Sequence, residues 1–275
     1  MQKIGYLGPE GTFSHEAVKK YAGDKLQTIM SFSSISELLL AVQNNELDEA
    51  IVPMENSIEG AVNATIDMMA FEVELMIKAE IIIPIREHLL VKKGTSLKDI
   101  RYVLSHPQPI GQCRRFLAGS LPDAEIIPVL STAAAAKQVS ECGGEYAAIG
   151  STAAAEAYKL EILKDNIQDL HDNCTRFIIA SHSDSQRTGN DRTSIVFSTD
   201  DKPGSLYRIL DIFNLWDINL SRIESRPAKS MLGRYIFLVD LIGHRDDENL
   251  NEALIMVRRK ASFYKFLGSY PISFK

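Results

Sequence analysis

Along the first 180 residues, short apolar runs end in loops of small polar residues, and a helix-like stretch follows each loop. Residues 3–7 lead through Gly8-Pro9-Glu10-Gly11-Thr12-Phe13-Ser14 into a predicted helix over 14–22. Residues 50–53 lead through Met54-Glu55-Asn56-Ser57 into a helical stretch from about 59 to 70. The same alternation recurs from 102–105 through His106-Pro107-Gln108-Pro109 into 110–118, and from 126–130 through Ser131-Thr132 into the alanine-rich 133–142. Residues 146–149 close the series, leading through Gly150-Ser151-Thr152 into 153–158. Strands alternating with helices predict an α/β fold, with a mostly parallel sheet covered on both faces. Ligands of such sheets bind beyond the carboxyl ends of the strands.

The loops place Thr12, Ser57, Ser131, Thr132 and Ser151 at helix starts, where free backbone N–H groups and the dipole favour an anion. Each is equally explained as an N-cap. Several such loops meeting at one cleft would hold a ligand that is small, polar and anionic.

Residues 181–191 pass without one large apolar side chain and read as a linker. Beyond it the pattern changes. Strands are predicted at 193–197, 218–225, 234–241 and 264–270, with helices at 203–215 and 249–260. The order βαββαβ is the ferredoxin-like arrangement. Asp201-Lys202-Pro203-Gly204-Ser205-Leu206 forms a turn feeding a helix, where Gly204 lets a ligand or a neighbouring chain approach the backbone.

Composition adds exclusions. At 45% apolar and 24% charged, with Gly 16 and Pro 10, the 275 residues are neither fibrous nor disordered. The net charge of −6 divides into −8 for residues 1–180 and +2 for 181–275, which argues against a dedicated nucleic-acid binder. Cys113, Cys142 and Cys174 are scattered and odd in number, a pattern suited to a reducing cytosol. The chain enters a strand-like run at once and has no long apolar segment, so a cytoplasmic protein without a membrane span is expected. The six histidines lack ligand spacing, and no dinucleotide or Walker-type glycine motif occurs; no metal and no cofactor are expected.

Several motifs taken together carry a family resemblance: Gly8-Pro9-Glu10-Gly11-Thr12-Phe13-Ser14, Pro53-Met54-Glu55-Asn56-Ser57, Ser105-His106-Pro107-Gln108 with Gln112-Cys113, Ser131-Thr132-Ala133-Ala134, and Asp172-Asn173-Cys174-Thr175-Arg176-Phe177. In this order and spacing the chain resembles the prephenate dehydratases of the monofunctional bacterial type, over nearly its whole length. Its C-terminal part resembles an ACT domain, with Glu224-Ser225-Arg226-Pro227 in the form seen in phenylalanine-regulated members. Two departures stand out. Ser205 replaces the usual alanine of the regulatory turn, and Leu130 stands where some members carry a polar residue.

The resemblance implies a catalytic domain over 1–181 with two lobes, like a type II periplasmic binding protein. Lobe one would take about 1–84 plus 170–180 and lobe two about 85–168, followed by a linker at 182–191 and the ACT domain at 192–275. It also implies a homodimer or homotetramer. The implied reaction is loss of CO2 and water from prephenate to give phenylpyruvate, under control of L-phenylalanine. Thr175 would meet the 4-hydroxyl as hydrogen-bond donor or as the last member of a proton relay. Asn56, Ser105 and Gln112 would be neutral donors to the substrate, with Glu55 and Phe177 shaping the pocket. Arg176 would either grip a carboxylate or hold its strand through an ion pair. A cation on the ring carboxylate would stabilise charge that must vanish as CO2 leaves, so weak or apolar contacts are expected there. His171 is the rival proton donor, and His106 reads as a loop hydrogen-bonder. Gly204, Ser205 and Leu206, with Glu224, Ser225, Arg226 and Pro227, would form the phenylalanine site. Arogenate dehydratase and a non-catalytic solute sensor are the alternative functions.

Overall fold

A computed structural model describes residues 2–23, 27–228 and 234–273. The outer ends of the expected domains, Met1 and Lys275, lie outside the described residues. The first lobe is built from β1 (Gln2–Leu7), α1 (Phe13–Ala22), β2 (Gln27–Phe32), α2 (Ile35–Gln43), β3 (Glu49–Asn56), β4 (Gly60–Ala61), α3 (Asn63–Asp67) and β5 (Met76–Pro84). The predicted helix at 59–70 is therefore shorter and later, and it runs on into a π-helical turn at Met68–Glu72.

The second lobe holds β6 (His88–Val91), β7 (Tyr102–Ser105), α4 (Pro107–Gln112), α5 (Arg114–Ser120), β8 (Glu125–Pro128), α6 (Thr132–Glu141), β9 (Tyr146–Gly150), α7 (Thr152–Tyr158) and β10 (Glu161–Lys164). The chain then returns to lobe one as β11 (Cys174–Ser181). The C-terminal part adds β12 (Asp191–Ser198), α8 (Ser205–Leu215), β13 (Leu220–Pro227), β14 (Tyr235–Ile242), α9 (Glu248–Lys260) and β15 (Phe263–Pro271).

Where the alternation predicted one mostly parallel sheet, there are two. Lobe one has the order β2-β1-β3-β11-β5, and lobe two the order β8-β7-β9-β6-β10. In each, three parallel strands are followed by an antiparallel one that comes from across the cleft. The two sheets thus repeat one topology, and two crossings join them, at 85–87 and 165–173. This is the two-lobed arrangement of type II binding proteins.

Local sequence starts the helices as expected. The Thr12 hydroxyl accepts from the His15 N–H, Ser131 from Ala134 and Ser151 from Ala154. Each cap satisfies a donor that the first helical turn leaves free.

The C-terminal sheet has the antiparallel order β13-β14-β12-β15, with α8 and α9 on one face. Its other face packs on lobe one. Val196, Leu238, Leu267 and Tyr270 share one buried core with Leu39, Ile66, Met69 and Ile77. The backbones nearly touch at Gly268 (φ 134°), where an added Cβ would lie 2.4 Å from the Ile77 carbonyl oxygen. The polar stretch expected as a linker is itself tied down, since the Ser185 hydroxyl donates to Lys78 O and its N–H to Ser269 O. Asp191, expected as the linker's last residue, opens β12 instead and is buried.

Candidate active site

β3 and β11 are neighbours, and Asn56 stands directly opposite Thr175 as Glu55 does opposite Arg176. Side chains alternate between the faces of a strand. One face of this pair therefore carries Asn56, Thr175 and Phe177 and lines the interlobe cleft, a cavity of about 360 Å³. The opposite face carries Glu55 and Arg176 and meets the C-terminal domain.

On the cleft face, Asn56 Nδ2 donates to Thr175 Oγ1 at 2.9 Å and to Asn173 Oδ1 at 2.8 Å. Its carbonyl oxygen accepts from the N–H groups of Ile58 and Glu59, which fixes the orientation of the amide. Asn173 Nδ2 donates in turn to Gln112 Oε1 at 3.0 Å, across the lobes. Gln112 Nε2 is buried in the cleft with no hydrogen-bond partner. The arrangement is a chain of neutral amides ending in one hydroxyl. With its oxygen already accepting from Asn56, that hydroxyl is left to donate into the cavity.

From lobe two, His106, Gln108 and Gln112 of the α4 region face Ser131 and Thr132 at the start of α6. Leu130 stands beside them at the mouth, 93% exposed. Much of the remaining wall is apolar, with Phe13, Pro53, Val62, Ile85 and Pro109. Among the described residues, no Lys or Arg lines the cavity; its ionisable groups are Glu59, Glu87 and His106.

Other expected site residues lie elsewhere. Ser105 is fully buried and its hydroxyl donates to Ile149 O, so it offers nothing to a ligand. Thr12 caps α1 and donates to Leu7 O and Pro9 O, outside the cavity lining. Ser57 is bound to Asn173 Oδ1 and to the Cys174 N–H, where it supports the amide chain from behind. Ser151 bridges the lobes by donating to Gly11 O at 3.0 Å. His171 is exposed and absent from the lining, which removes it as a proton donor. His106 does line the cavity, and its ring Nδ1 accepts from the Gln108 N–H as a helix cap.

The structure decides between the two roles left open for Arg176. It forms ion pairs with Glu55 (2.7 Å), Glu80 (3.2 Å) and Asp240 (2.6 Å), and the side chain is buried. It does not reach the cleft. Glu55, expected to shape the pocket, spans Arg176 and Arg222 of β13 instead. Burial alone would raise the Asp240 carboxyl, but Arg176, the Ser194 hydroxyl, Arg222 and Arg192 together hold it below the usual carboxylate range.

Three residues of the site were not assigned from sequence. Asn173 belongs to the Asp172–Phe177 motif, and its place directly before the strand that carries Thr175 is the sequence signal for it. Gln108 likewise belongs to the Ser105–Gln108 motif, directly after Pro107. Glu87 carried no signal, because Arg86-Glu87-His88 reads as an ordinary charged run. It is 1% exposed, and burial, followed by the charge of Glu16, pushes its carboxyl up to about 8.

In the C-terminal domain, Gly204, Ser205 and Leu206 line a cavity of about 410 Å³ with Lys202, Tyr207 and Phe237. Gly204 takes φ 77° at the start of α8, a conformation that glycine accepts without strain. Glu224, Ser225, Arg226 and Pro227 are not brought into this cavity within one chain. They lie on the edge strand β13, where Arg226 reaches back to Asp67 of lobe one at 3.0 Å.

No described helix is long and apolar enough to cross a membrane, and the described residues form no cluster of three or more potential metal ligands. Two lobes, a cleft of neutral donors between them and a ferredoxin-like module docked behind the cleft strands define an α/β cleft enzyme with an appended regulatory domain. The prephenate dehydratase family model matches residues 4–185 and the ACT domain model residues 193–255. The chain belongs to the prephenate dehydratase family. It is 42% identical to a bifunctional chorismate mutase/prephenate dehydratase of Aquifex aeolicus, over 98% of this chain and 73% of that protein. A prephenate dehydratase of Mycobacterium tuberculosis is 39% identical over 98% of this chain and 87% of its own. The crystal structure of a prephenate dehydratase from Arthrobacter aurescens in complex with L-Phe superposes with a TM-score of 0.91 at 38% identity, covering 98% and 90% of the two chains.

Proposed function

We propose that this chain is a carbon–oxygen lyase that converts prephenate to phenylpyruvate, CO2 and water in phenylalanine biosynthesis, with L-phenylalanine as its effector. Residues 1–181 form the catalytic unit and 192–275 the regulatory one. The observation that carries the catalytic reading is the Asn56–Thr175 pair in a cleft that no Lys or Arg lines among the described residues.

Prephenate becomes aromatic on losing CO2 and hydroxide, so the barrier lies in expelling the 4-hydroxyl. Thr175, held by Asn56, donates to that oxygen and orients the leaving group. Gln112 gives its free N–H to the substrate, and the start of α6 at Ser131 and Thr132 offers backbone donors to the pyruvyl carboxylate. The ring carboxylate rests against the apolar wall with Phe177. Leaving that charge unpaired raises the ground state relative to a transition state in which the charge is dispersing.

Phenylalanine is bound between two ACT domains, its carboxylate at the Gly204–Ser205 turn and its side chain near Leu206. The separation of that turn from Glu224–Pro227 within one chain supports a site shared by two copies, hence a homodimer or homotetramer. The free cysteines support a cytoplasmic setting.

The test is incubation of the purified chain with prephenate and, separately, with arogenate, with and without phenylalanine. Phenylpyruvate from prephenate is the expected product, formed at a phenylalanine-dependent rate. Turnover of arogenate alone, or binding without turnover, would replace this reading.

A further inference from the structure

Expelling the 4-hydroxyl as water consumes a proton, and the amide chain cannot supply one. Thr175 is an alcohol, and its partner among the described hydrogen bonds is the Asn56 amide, which donates to it and has no acidic proton to pass on. A relay through Thr175 therefore has no source behind it.

Among the described residues, the other buried polar atom of the cavity lining without a hydrogen-bond partner belongs to Glu87. Its Oε2 is buried and makes no hydrogen bond, while its backbone is fixed at both ends. The Glu87 N–H donates to Gln168 Oε1 at 3.1 Å, and its carbonyl accepts from the Ile167 N–H at 2.9 Å. Glu87 lies on the first crossing between the lobes and both partners on the second, so the two crossings hold Glu87 in the lining of the cleft, in the same cavity as Thr175. An unpaired charge there would be costly, and it would also repel a dianionic substrate.

We propose that Glu87 is the general acid of this reaction, giving its proton to the departing 4-oxygen while Thr175 orients that oxygen. This rests on the dehydratase reading above. The C4–O bond breaks with its electron pair going to oxygen, which takes the Glu87 proton and leaves as water. The pair of the bond to the ring carboxylate flows into the ring as CO2 departs. Glu87 is left as a carboxylate and regains a proton from solvent when the product leaves.

Burial, with the charge of Glu16 second, keeps the Glu87 carboxyl protonated to about pH 8. The groups around it are Glu16 of α1, Cys113 at the end of α4 with Asp169 of the second crossing beside that thiol, its chain neighbours Arg86 and His88, and Glu59 and His106 on the cavity wall. Glu16 is itself raised by burial, and burial followed by the charge of Glu87 suppresses the acidity of Cys113.

The experiment is the pH profile of kcat and KM for prephenate, from about pH 6 to about pH 10, for the wild type, Glu87→Gln and Glu87→Asp. Wild-type kcat should fall on the alkaline side as the acid is lost. Glu87→Gln should lower kcat by about 10²- to 10⁴-fold with KM changed only a few-fold, and it should abolish the alkaline limb. Glu87→Asp should keep the limb at an intermediate rate. Near-normal kcat in Glu87→Gln, or an alkaline limb that survives in it, overturns the proposal. So does a wild-type kcat that stays level to the alkaline end, a result that needs no folded variant. A wild type that forms no phenylpyruvate at any pH sinks the dehydratase reading instead.

Discussion

Arg176 Nη2 lies 2.6 Å from Asp240 Oδ2 of the C-terminal domain, and the residue before Arg176 on the same strand is Thr175 of the cleft. One strand thus presents alternate side chains to the substrate cavity and to the regulatory sheet. Any shift of β14 against lobe one bears on β11 and so on the Thr175 hydroxyl. The ion pair joins the cleft strand directly to the C-terminal sheet.

Asp240→Asn removes one counter-charge from a buried guanidinium that keeps Glu55 and Glu80. The expected loss of stability is about 3 kcal/mol, at the lower end for breaking a buried pair. Denaturant unfolding measures it, and the response of activity to phenylalanine should weaken in the same variant.

Thr175→Ala should lower kcat by about 10²-fold or more and leave KM within a few-fold, since the lost hydrogen bond matters most as the C–O bond breaks. Thr175→Ser keeps the hydroxyl at the Asn56 amide and should retain appreciable turnover. Steady-state kinetics on prephenate decide both.

Asn173→Ala cuts the bridge between Asn56 of lobe one and Gln112 of lobe two without touching the Thr175 hydroxyl. A roughly tenfold fall in kcat/KM is expected, equivalent to about 1.4 kcal/mol of lost transition-state stabilisation. Unchanged kcat/KM would show that the lobes position the amides without this link.

Glu87 also sets a pH dependence of stability. Its folded-state carboxyl, at about 8, sits above the ordinary value of 4.5, so the folded chain binds the extra proton in that interval. Stability is fully present below about pH 4.5 and declines as pH rises through about 8, with a slope approaching 1.4 kcal/mol per pH unit. Melting temperatures across this window should fall for the wild type, and Glu87→Gln should flatten the decline.

Gly268→Ala places a Cβ 2.4 Å from the Ile77 carbonyl oxygen and asks alanine to take φ 134°. The two sheets cannot close around it, and a destabilisation of about 2–4 kcal/mol is expected. Thermal unfolding tests this, and limited proteolysis should show earlier cleavage between β11 and β12.

Much of the fold was legible because its signals are local. Short apolar runs, capping hydroxyls at Thr12, Ser131 and Ser151, and the turn at Pro203-Gly204 each act within a few residues of themselves. The π-helical turn after Asp67 was not legible, since tertiary packing of Met68 and Met69 holds it. Of the site, Asn56, Gln112, Ser131, Thr132, Thr175 and Phe177 do meet in the cleft. Ser105 and Ser151 share the residue type of a ligand-binding hydroxyl, but each donates to a backbone carbonyl contributed by a distant segment.

The sequence by itself determined the alternation of strands and helices, the seam before the C-terminal domain and the motifs that carry the family. Only the tertiary structure decided which face each motif residue serves. Period-two alternation separates Asn56 from Glu55 and Thr175 from Arg176, but which face becomes cleft depends on where lobe two and the C-terminal sheet dock. Glu87 gained its character the same way. A carboxyl in a charged run became a buried acid because two distant crossings close around it, and burial is a property of the assembled chain.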